Sequence, residues 1–121
     1  MVIWPRQGNP VLVVNETAAP LARRDGWIED VRLYDGYAES AYAKTAEILV
    51  EMGLQNETIG LEKDYLSMLQ WEEIASHLPN ANLSDCTDLM DRVRWIKTPE
   101  EVELLKKGAD LLDEIYLEVF P

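Results

Sequence analysis

The amino-acid sequence predicts an α/β domain. Short apolar runs alternate along the chain with longer segments in which apolar residues recur every three or four positions, a pattern typical of strands that alternate with helices. Glycine and proline separate many of these runs, as expected for turns. The chain has 121 residues, of which 47 % are hydrophobic and 28 % are charged. It is therefore long enough to bury one core and has the composition of a soluble globular protein.

The first half of the chain predicts a hairpin followed by helix, strand and helix. Residues 5–10 contain Pro5, Gly8 and Pro10 and form a loose turn between two β-prone runs. Gly53 follows an amphipathic stretch, as a glycine that ends a helix does. The predicted elements are strands Met1–Trp4 and Val11–Val14, helix Ala18–Arg24 ended by Asp25-Gly26, a strand from about Asp30 to Tyr34, and helix Ala38–Met52.

The second half predicts a further strand, helix, strand and helix. Pro79 ends the first of these helices, since proline cannot continue a helix. The predicted elements are strand Thr58–Glu62, helix Leu66–Leu78, strand Asn82–Asp85 and one or two helical turns over Thr87–Ile96.

A long helix is predicted from Pro99 to the end of the chain. Thr98 is placed to cap it, Pro99 suits its first position, and Glu101 completes a capping box. Apolar residues then recur at intervals of three and four positions, which places them in a narrow seam along one face of the helix. Two further leucines and an isoleucine broaden this seam. The seam residues are Val102, Leu105, Ala109, Leu112, Tyr116 and Val119, broadened by Leu104, Leu111 and Ile115. This helix either faces a core or needs a partner.

Charge and cysteine content exclude several classes of function. The chain has 11 basic and 23 acidic residues and a net charge of −12, which argues against binding nucleic acid or an anionic membrane. The apolar runs are too short to span a bilayer, and we find no signal peptide. The single cysteine, Cys86, excludes an internal disulfide and suits a reducing compartment. We therefore expect a cytoplasmic protein.

Residue types that carry nucleophilic or zinc chemistry are present without the spacing such chemistry needs. His77 is the one histidine and lies at a predicted helix end, where a cation is favourable, so we expect a structural role. No Gly-x-Ser-x-Gly motif surrounds any serine. Cys86 lies between Asp85 and Asp88, which disfavour a thiolate, so an inert thiol is expected. The serines available for a triad are Ser40, Ser67, Ser76 and Ser84.

Carboxylates offer a second possible site. Asp85, Asp88 and Asp91 are three residues apart, so they could share a helix face and bind a cation. The acidic run Glu100, Glu101 and Glu103 follows. The alternating acids and central glycine of a calcium loop are absent, so a solvated acidic face is the favoured interpretation. We predict no catalytic, cofactor-binding or metal-binding residue in this chain.

The segment from Arg94 to Ala109, RWIKTPEEVELLKKGA, resembles the Arg-x-Ile-Lys-Ser/Thr-x-x-Glu-x-x-x-Leu/Met-x-x-Ala signature of the creatinase, prolidase and aminopeptidase P family. Upstream residues are similar to further motifs of that family in the same order, namely the hairpin of residues 5–14, Ile59-Gly60-Leu61-Glu62, and Leu78-Pro79-Asn80-Ala81 followed by Asp85. The resemblance covers nearly the whole chain.

The resemblance implies a mixed sheet with flanking helices, ribonuclease H-like and incomplete, that ends in a long helix. Residues 1–93 would be part of a creatinase/prolidase-type N-terminal domain, truncated at both ends. Residues 94–121 would be the linker and first helix of a missing "pita-bread" catalytic domain, with Arg94, Lys97, Thr98 and Glu101 as structural linker residues.

The resemblance also implies a function for the whole protein. It would be a metal-dependent Xaa-Pro peptidase-like hydrolase, with two divalent metals (manganese, cobalt or zinc) held by the missing domain. This chain would be inactive alone and would support subunit association, most simply as a homodimer, and shape the active site. The alternatives are a stand-alone interaction or dimerisation module and a small acidic enzyme that uses Asp85, Asp88 and His77.

Overall fold

A computed structural model describes residues 1–120, so Pro121 of the predicted segment 94–121 lies outside the described residues. The chain forms two units, Met1–Asp85 and Cys86–Pro121. The first unit contains β1 (Val2–Ile3), β2 (Val11–Asn15), α1 (Ala19–Asp25), β3 (Asp30–Tyr34), α2 (Ala41–Glu51), β4 (Thr58–Leu61), α3 (Met68–His77) and β5 (Asn82–Asp85), and the second contains α4 (Thr87–Trp95) and α5 (Pro99–Val119).

The strands form a mixed α/β arrangement, which confirms the predicted fold class. β1 and β2 pair antiparallel, with Ile3 opposite Val11, so the predicted hairpin is confirmed. β2 and β3 pair in parallel through α1, and β4 and β5 pair in parallel through α3. A helix between the strands is the usual connection for parallel pairs. The hydrogen bonds divide the strands into a ladder of order β1-β2-β3 and a second ladder, β4-β5.

The core of the first unit lies between the strands and two helices. Alternate residues of β2 point inward because side chains along a strand alternate between its two faces, and Val11 and Val13 are accordingly buried. α2 and α3 each present an apolar stripe to the same core. The buried core residues are Ile3, Val11, Val13, Ala46, Ile48, Leu49, Ile74 and Leu78.

Two helices begin later than the sequence pattern predicted, because a serine caps each of them. α2 begins at Ala41 rather than Ala38, since Ser40 has an extended backbone and its hydroxyl accepts a hydrogen bond from the Ala43 N–H. α3 begins at Met68 rather than Leu66, since Ser67 and Gln70 form a capping box.

Gly53 ends α2 as predicted. Its φ of +75° is in the left-handed region that favours glycine. The Gly53 N–H donates to the Val50 carbonyl and the Leu54 N–H to the Leu49 carbonyl, both at 2.9 Å. These two bonds form a Schellman motif, which satisfies carbonyls that the helix itself leaves unpaired.

The second unit consists of the nine-residue helix α4 and the 21-residue helix α5. The predicted start of α5 is confirmed, with Thr98 as cap and Pro99 in the first turn. α5 contains no buried residue. Among the described residues, no helix is both long and apolar enough to cross a membrane.

Candidate functional site

The predicted linker residues Arg94, Lys97, Thr98 and Glu101 make local contacts at the end of α4 and the start of α5. The Lys97 ammonium donates to the Arg94 carbonyl, one of the acceptors at the end of α4. The Arg94 guanidinium lies 3.4 Å from a carboxylate oxygen of Asp91, one turn earlier. Both cations are therefore engaged at the negative end of α4, where the helix dipole favours them.

Thr98 and Glu101 form a reciprocal capping box. The Glu101 N–H donates to the Thr98 hydroxyl at 3.2 Å, and the Thr98 N–H donates to the Glu101 carboxylate at 2.8 Å. Two N–H groups that the helix leaves unpaired are thus satisfied. The observed contacts are those of a helix cap, and the role of these residues as a linker between two domains stays a prediction.

α5 presents a broad apolar face to solvent. At 100° per residue, the seam and the residues that broaden it cover about half of the helix circumference. A groove of about 620 Å³ runs along this face beside Gly108 and Ala109, with Lys97 and Glu101 at one end. The exposed large apolar residues of this face are Val102, Leu104, Leu105, Leu111, Leu112, Ile115, Tyr116 and Val119.

The candidate nucleophiles and the histidine take part in local structure. Ser40 and Ser67 cap α2 and α3, and the Ser76 hydroxyl donates to the Glu73 carbonyl at 2.7 Å within α3. His77 is exposed in the last turn of α3. Cys86 is half-buried and forms no disulfide.

The three aspartates do not share a helix face. Asp85 ends β5, and α4 begins only at Thr87, so Asp88 and Asp91 alone lie on that helix. The three-residue spacing of these aspartates wrongly suggested a shared helix face, because β5 ends at Asp85 before α4 begins. The Asp85 carboxylate accepts from the Lys63 N–H at 3.5 Å. Within residues 1–120 no group of three or more His, Cys, Asp or Glu side chains is placed to hold a metal ion.

The first unit has a surface depression at residues that no sequence motif singled out. The depression has a volume of about 370 Å³ and is lined by Asn9, Pro10, Trp27, Glu29 and Asp30. The centroid of the Trp27 ring lies 5.8 Å from the centroid of the Trp4 ring. The signal in the sequence is a tryptophan two residues before an acidic pair, where the predicted strand begins at about Asp30.

Comparison with known proteins identifies the family. Residues 1–96 match the family model described as the Creatinase/Prolidase N-terminal domain. Because this match covers most of the chain, the chain belongs to that family, and the family resemblance seen in the sequence is confirmed.

Three curated relatives are similar over most of this chain. An uncharacterized hydrolase/peptidase of Sinorhizobium fredii is 25 % identical and matches 93 % of this chain and 31 % of its own length. The creatinase of a Bacillus species is 25 % identical and matches 88 % of this chain and 26 % of its own length. The Xaa-Pro dipeptidase of Lactobacillus helveticus is 27 % identical and matches 87 % of this chain and 29 % of its own length. The chain thus spans less than a third of the length of these relatives.

Two solved structures share the fold. An Xaa-Pro dipeptidase from Bacillus anthracis superposes with a TM-score of 0.74 at 17 % identity, covering 98 % of this chain and 31 % of the other. An X-Pro aminopeptidase from Thermotoga maritima superposes with a TM-score of 0.72 at 16 % identity, covering 93 % of this chain and 30 % of the other. At these identities the likeness establishes the fold alone.

Proposed function

We propose that this chain is the non-catalytic N-terminal domain of a metal-dependent Xaa-Pro peptidase-like hydrolase, where it supports subunit association and helps to shape the active site. The observation that carries this proposal is that α5 begins with a well-formed capping box and exposes its apolar face to solvent. The family match ends at residue 96. α5 begins at Pro99, directly beyond it, and exposes its apolar face.

The exposed face of α5 suits burial against further protein. Contiguous apolar surface of this extent on a helix commonly marks a protein–protein contact. The capping box fixes where α5 starts. We propose that the catalytic part of the enzyme, corresponding to the remaining length of the relatives, packs on this face.

The expected divalent metals do not fit the residues of this chain. Two metals in one site need several carboxylate or imidazole ligands held together. Within the described residues no such cluster forms, and Asp91 is paired with Arg94. We therefore propose that residues outside this chain hold the metals, and we assign no step of hydrolysis to residues 1–120.

The proposal is tested first at the level of the gene. Sequencing the DNA on both sides of the codons for residues 1–121 should show a reading frame that continues into the clustered carboxylate and histidine ligands of a two-metal site. A stop codon directly after the codon for Pro121 would contradict the proposal and favour the stand-alone alternative.

Hydrolysis assays provide the second test. We expect the 121-residue chain to release no proline from an Xaa-Pro dipeptide in the presence of manganese or cobalt beyond the rate with the metal alone. The product of the extended frame should hydrolyse the same dipeptide. Turnover by the short chain that disappears when its own Asp88 and Asp91 are replaced by asparagine would overturn the assignment as non-catalytic.

The second candidate function is a stand-alone dimerisation module. The same apolar face favours it, because a second copy of α5 could cover that surface by seam-to-seam packing. The single half-buried thiol suits a reducing environment for either function. We propose that the protein acts in the cytoplasm.

A further inference from the structure

We propose that the depression beside Trp27 and Glu29 is a binding site for a small organic cation of the quaternary ammonium class. Three features of the depression support this: its size, the exposed indole of Trp27, and the carboxylate of Glu29, which has no partner among the described residues. Its volume of about 370 Å³ falls in the range of about 300–1,000 Å³ that small-molecule sites occupy.

The two tryptophans form an open aromatic corner. Trp4 and Trp27 have ring centroids 5.8 Å apart and an interplanar angle of 59°. Rings at this angle do not stack face to face, and both residues are largely exposed to solvent. The Trp27 side chain is 71 % exposed although it belongs to this pair. Indole is the aromatic ring that attracts cations most strongly.

The charge in the depression is negative and unbalanced. Asp30 is already paired, because the Arg32 guanidinium binds it at 2.6 Å, and this hydrogen bond raises the pKa of Arg32. Among residues 1–120 the Glu29 carboxylate makes no ion pair and accepts no hydrogen bond. Glu29 therefore contributes one net negative charge next to the open indole of Trp27.

A quaternary ammonium ion fits these features better than an anion or a neutral ligand. It interacts with indole faces and with a carboxylate, and it has no hydrogen-bond donor that would need a further acceptor. The net charge of −12 favours the approach of cations in general. The chain already contains one such contact, in which the Lys63 ammonium lies 5.7 Å from the ring centroid of Trp71.

Titration with choline followed by two-dimensional NMR of the indole N–H signals tests the site. We expect the Trp27 signal, identified with the Trp27→Phe variant, to shift in a saturable way. 3,3-Dimethylbutan-1-ol, which has carbon in place of the charged nitrogen, should shift it at least about fivefold less at equal concentration. Trp95 is an internal control, since it is 74 % exposed and lies in the other unit.

Two variants that change the net charge equally distinguish a local effect of the Glu29 carboxylate from an effect of the protein's overall negative charge. Glu29→Gln should weaken choline binding about threefold to tenfold. Glu118→Gln removes the same charge from α5 and should leave binding unchanged.

Four results would each overturn the proposal: no saturable shift, equal shifts with the neutral alcohol, equal shifts of Trp95, or equal effects of the two glutamine variants. A saturable shift at Trp27 that requires both the cation and Glu29 would establish the site. Because the readout needs no hydrolysis, the outcome is independent of the function proposed above.

Discussion

The Ser40 hydroxyl joins the start of α2 to the middle of α3. It accepts a hydrogen bond from the Ala43 N–H at 3.0 Å and donates one to the Glu73 carboxylate. A hydrogen bond to a charged acceptor is stronger than one between neutral groups. One serine thus caps a helix and links the two helices that cover the core.

Replacing Ser40 by alanine should destabilise the first unit by about 1–2 kcal/mol. The change removes the cap of α2 and leaves the half-buried Glu73 carboxylate without its partner. Urea unfolding followed by circular dichroism measures the loss. Ser76→Ala is the matched control, because the Ser76 hydroxyl is exposed and bonds only within α3. Its effect should stay within about 0.5 kcal/mol, and equal losses in the two variants would argue against the inter-helix role of Ser40.

Tyr42 should make the first unit less stable in alkaline solution. Burial raises the pKa of Tyr42 above its usual 10.0, and the charges of Glu73 and Tyr34 raise it further. The folded state therefore holds the phenol proton more tightly than the unfolded state. The resulting stabilisation is complete below pH 10 and is lost as the pH rises from 10 through the raised folded pKa.

Urea unfolding from about pH 9 upward tests this pH dependence. Tyr42→Phe should remove part of the decline in stability, since phenylalanine does not ionise. Tyr37→Phe should preserve the decline, because Tyr37 is fully exposed. If Tyr42→Phe leaves the slope unchanged, the phenol of Tyr42 is not responsible for it.

The same glycine-to-alanine change should have opposite effects at two positions. Gly53 has a φ of +75°, so Gly53→Ala should destabilise the first unit by about 1 kcal/mol. Gly108 lies within α5, and a Cβ there would meet nothing within 4 Å, so Gly108→Ala should stabilise that helix by about 1 kcal/mol. Urea unfolding measures the first change, and the helical signal at 222 nm on heating measures the second. Effects of the same sign would contradict this account.

Glu101→Ala should loosen the first turn of α5. The variant loses the hydrogen bond to the Thr98 N–H and a negative charge near the positive end of the helix, at a cost of about 0.5–1 kcal/mol. Faster amide hydrogen exchange in the first turn is the expected result. Glu103→Ala removes the same charge from a carboxylate that makes no hydrogen bond within residues 1–120. Similar exchange in both variants would show that charge, and not the capping box, protects this turn.

Much of the fold could be predicted because its signals are local in the sequence. The hairpin, Gly53 and the capping box at Thr98 each depend on neighbouring residues, and all three are confirmed. The starts of α2 and α3 were placed early because apolar periodicity continues past the caps. Sequence alone does not say which of several serines adopts the extended backbone of an N-cap.

The depression was not predicted, because it depends on residues brought together by folding. Trp4 and Trp27 are far apart in sequence, and they meet because antiparallel β1 ends, and parallel β3 begins, beside Val11 at the start of β2. The pairing of Asp30 with Arg32, which leaves Glu29 as the unpaired acid, also needs side-chain geometry.

The apolar face of α5 should mediate self-association of the 121-residue chain in solution. Exposed apolar surface of this extent favours association, and we expect sedimentation equilibrium to show a concentration-dependent dimer. Leu112→Asp should raise the dissociation constant at least about tenfold, because a carboxylate would be buried in the contact. Leu112 is 67 % exposed in the free chain, so the variant should not disturb folding.

Leu117 offers a control of the same residue type on the same helix. It lies five residues after Leu112, which at 100° per residue places it about 140° around α5, among charged residues. Its exposure of 73 % is similar, and Leu117→Asp changes the net charge equally. If association depends on the apolar face, Leu117→Asp should leave the dissociation constant within about twofold. Equal weakening by the two variants would assign the effect to added charge. A wild-type chain that stays monomeric would contradict the dimerisation module and would favour the alternative proposal, in which further protein packs on this face.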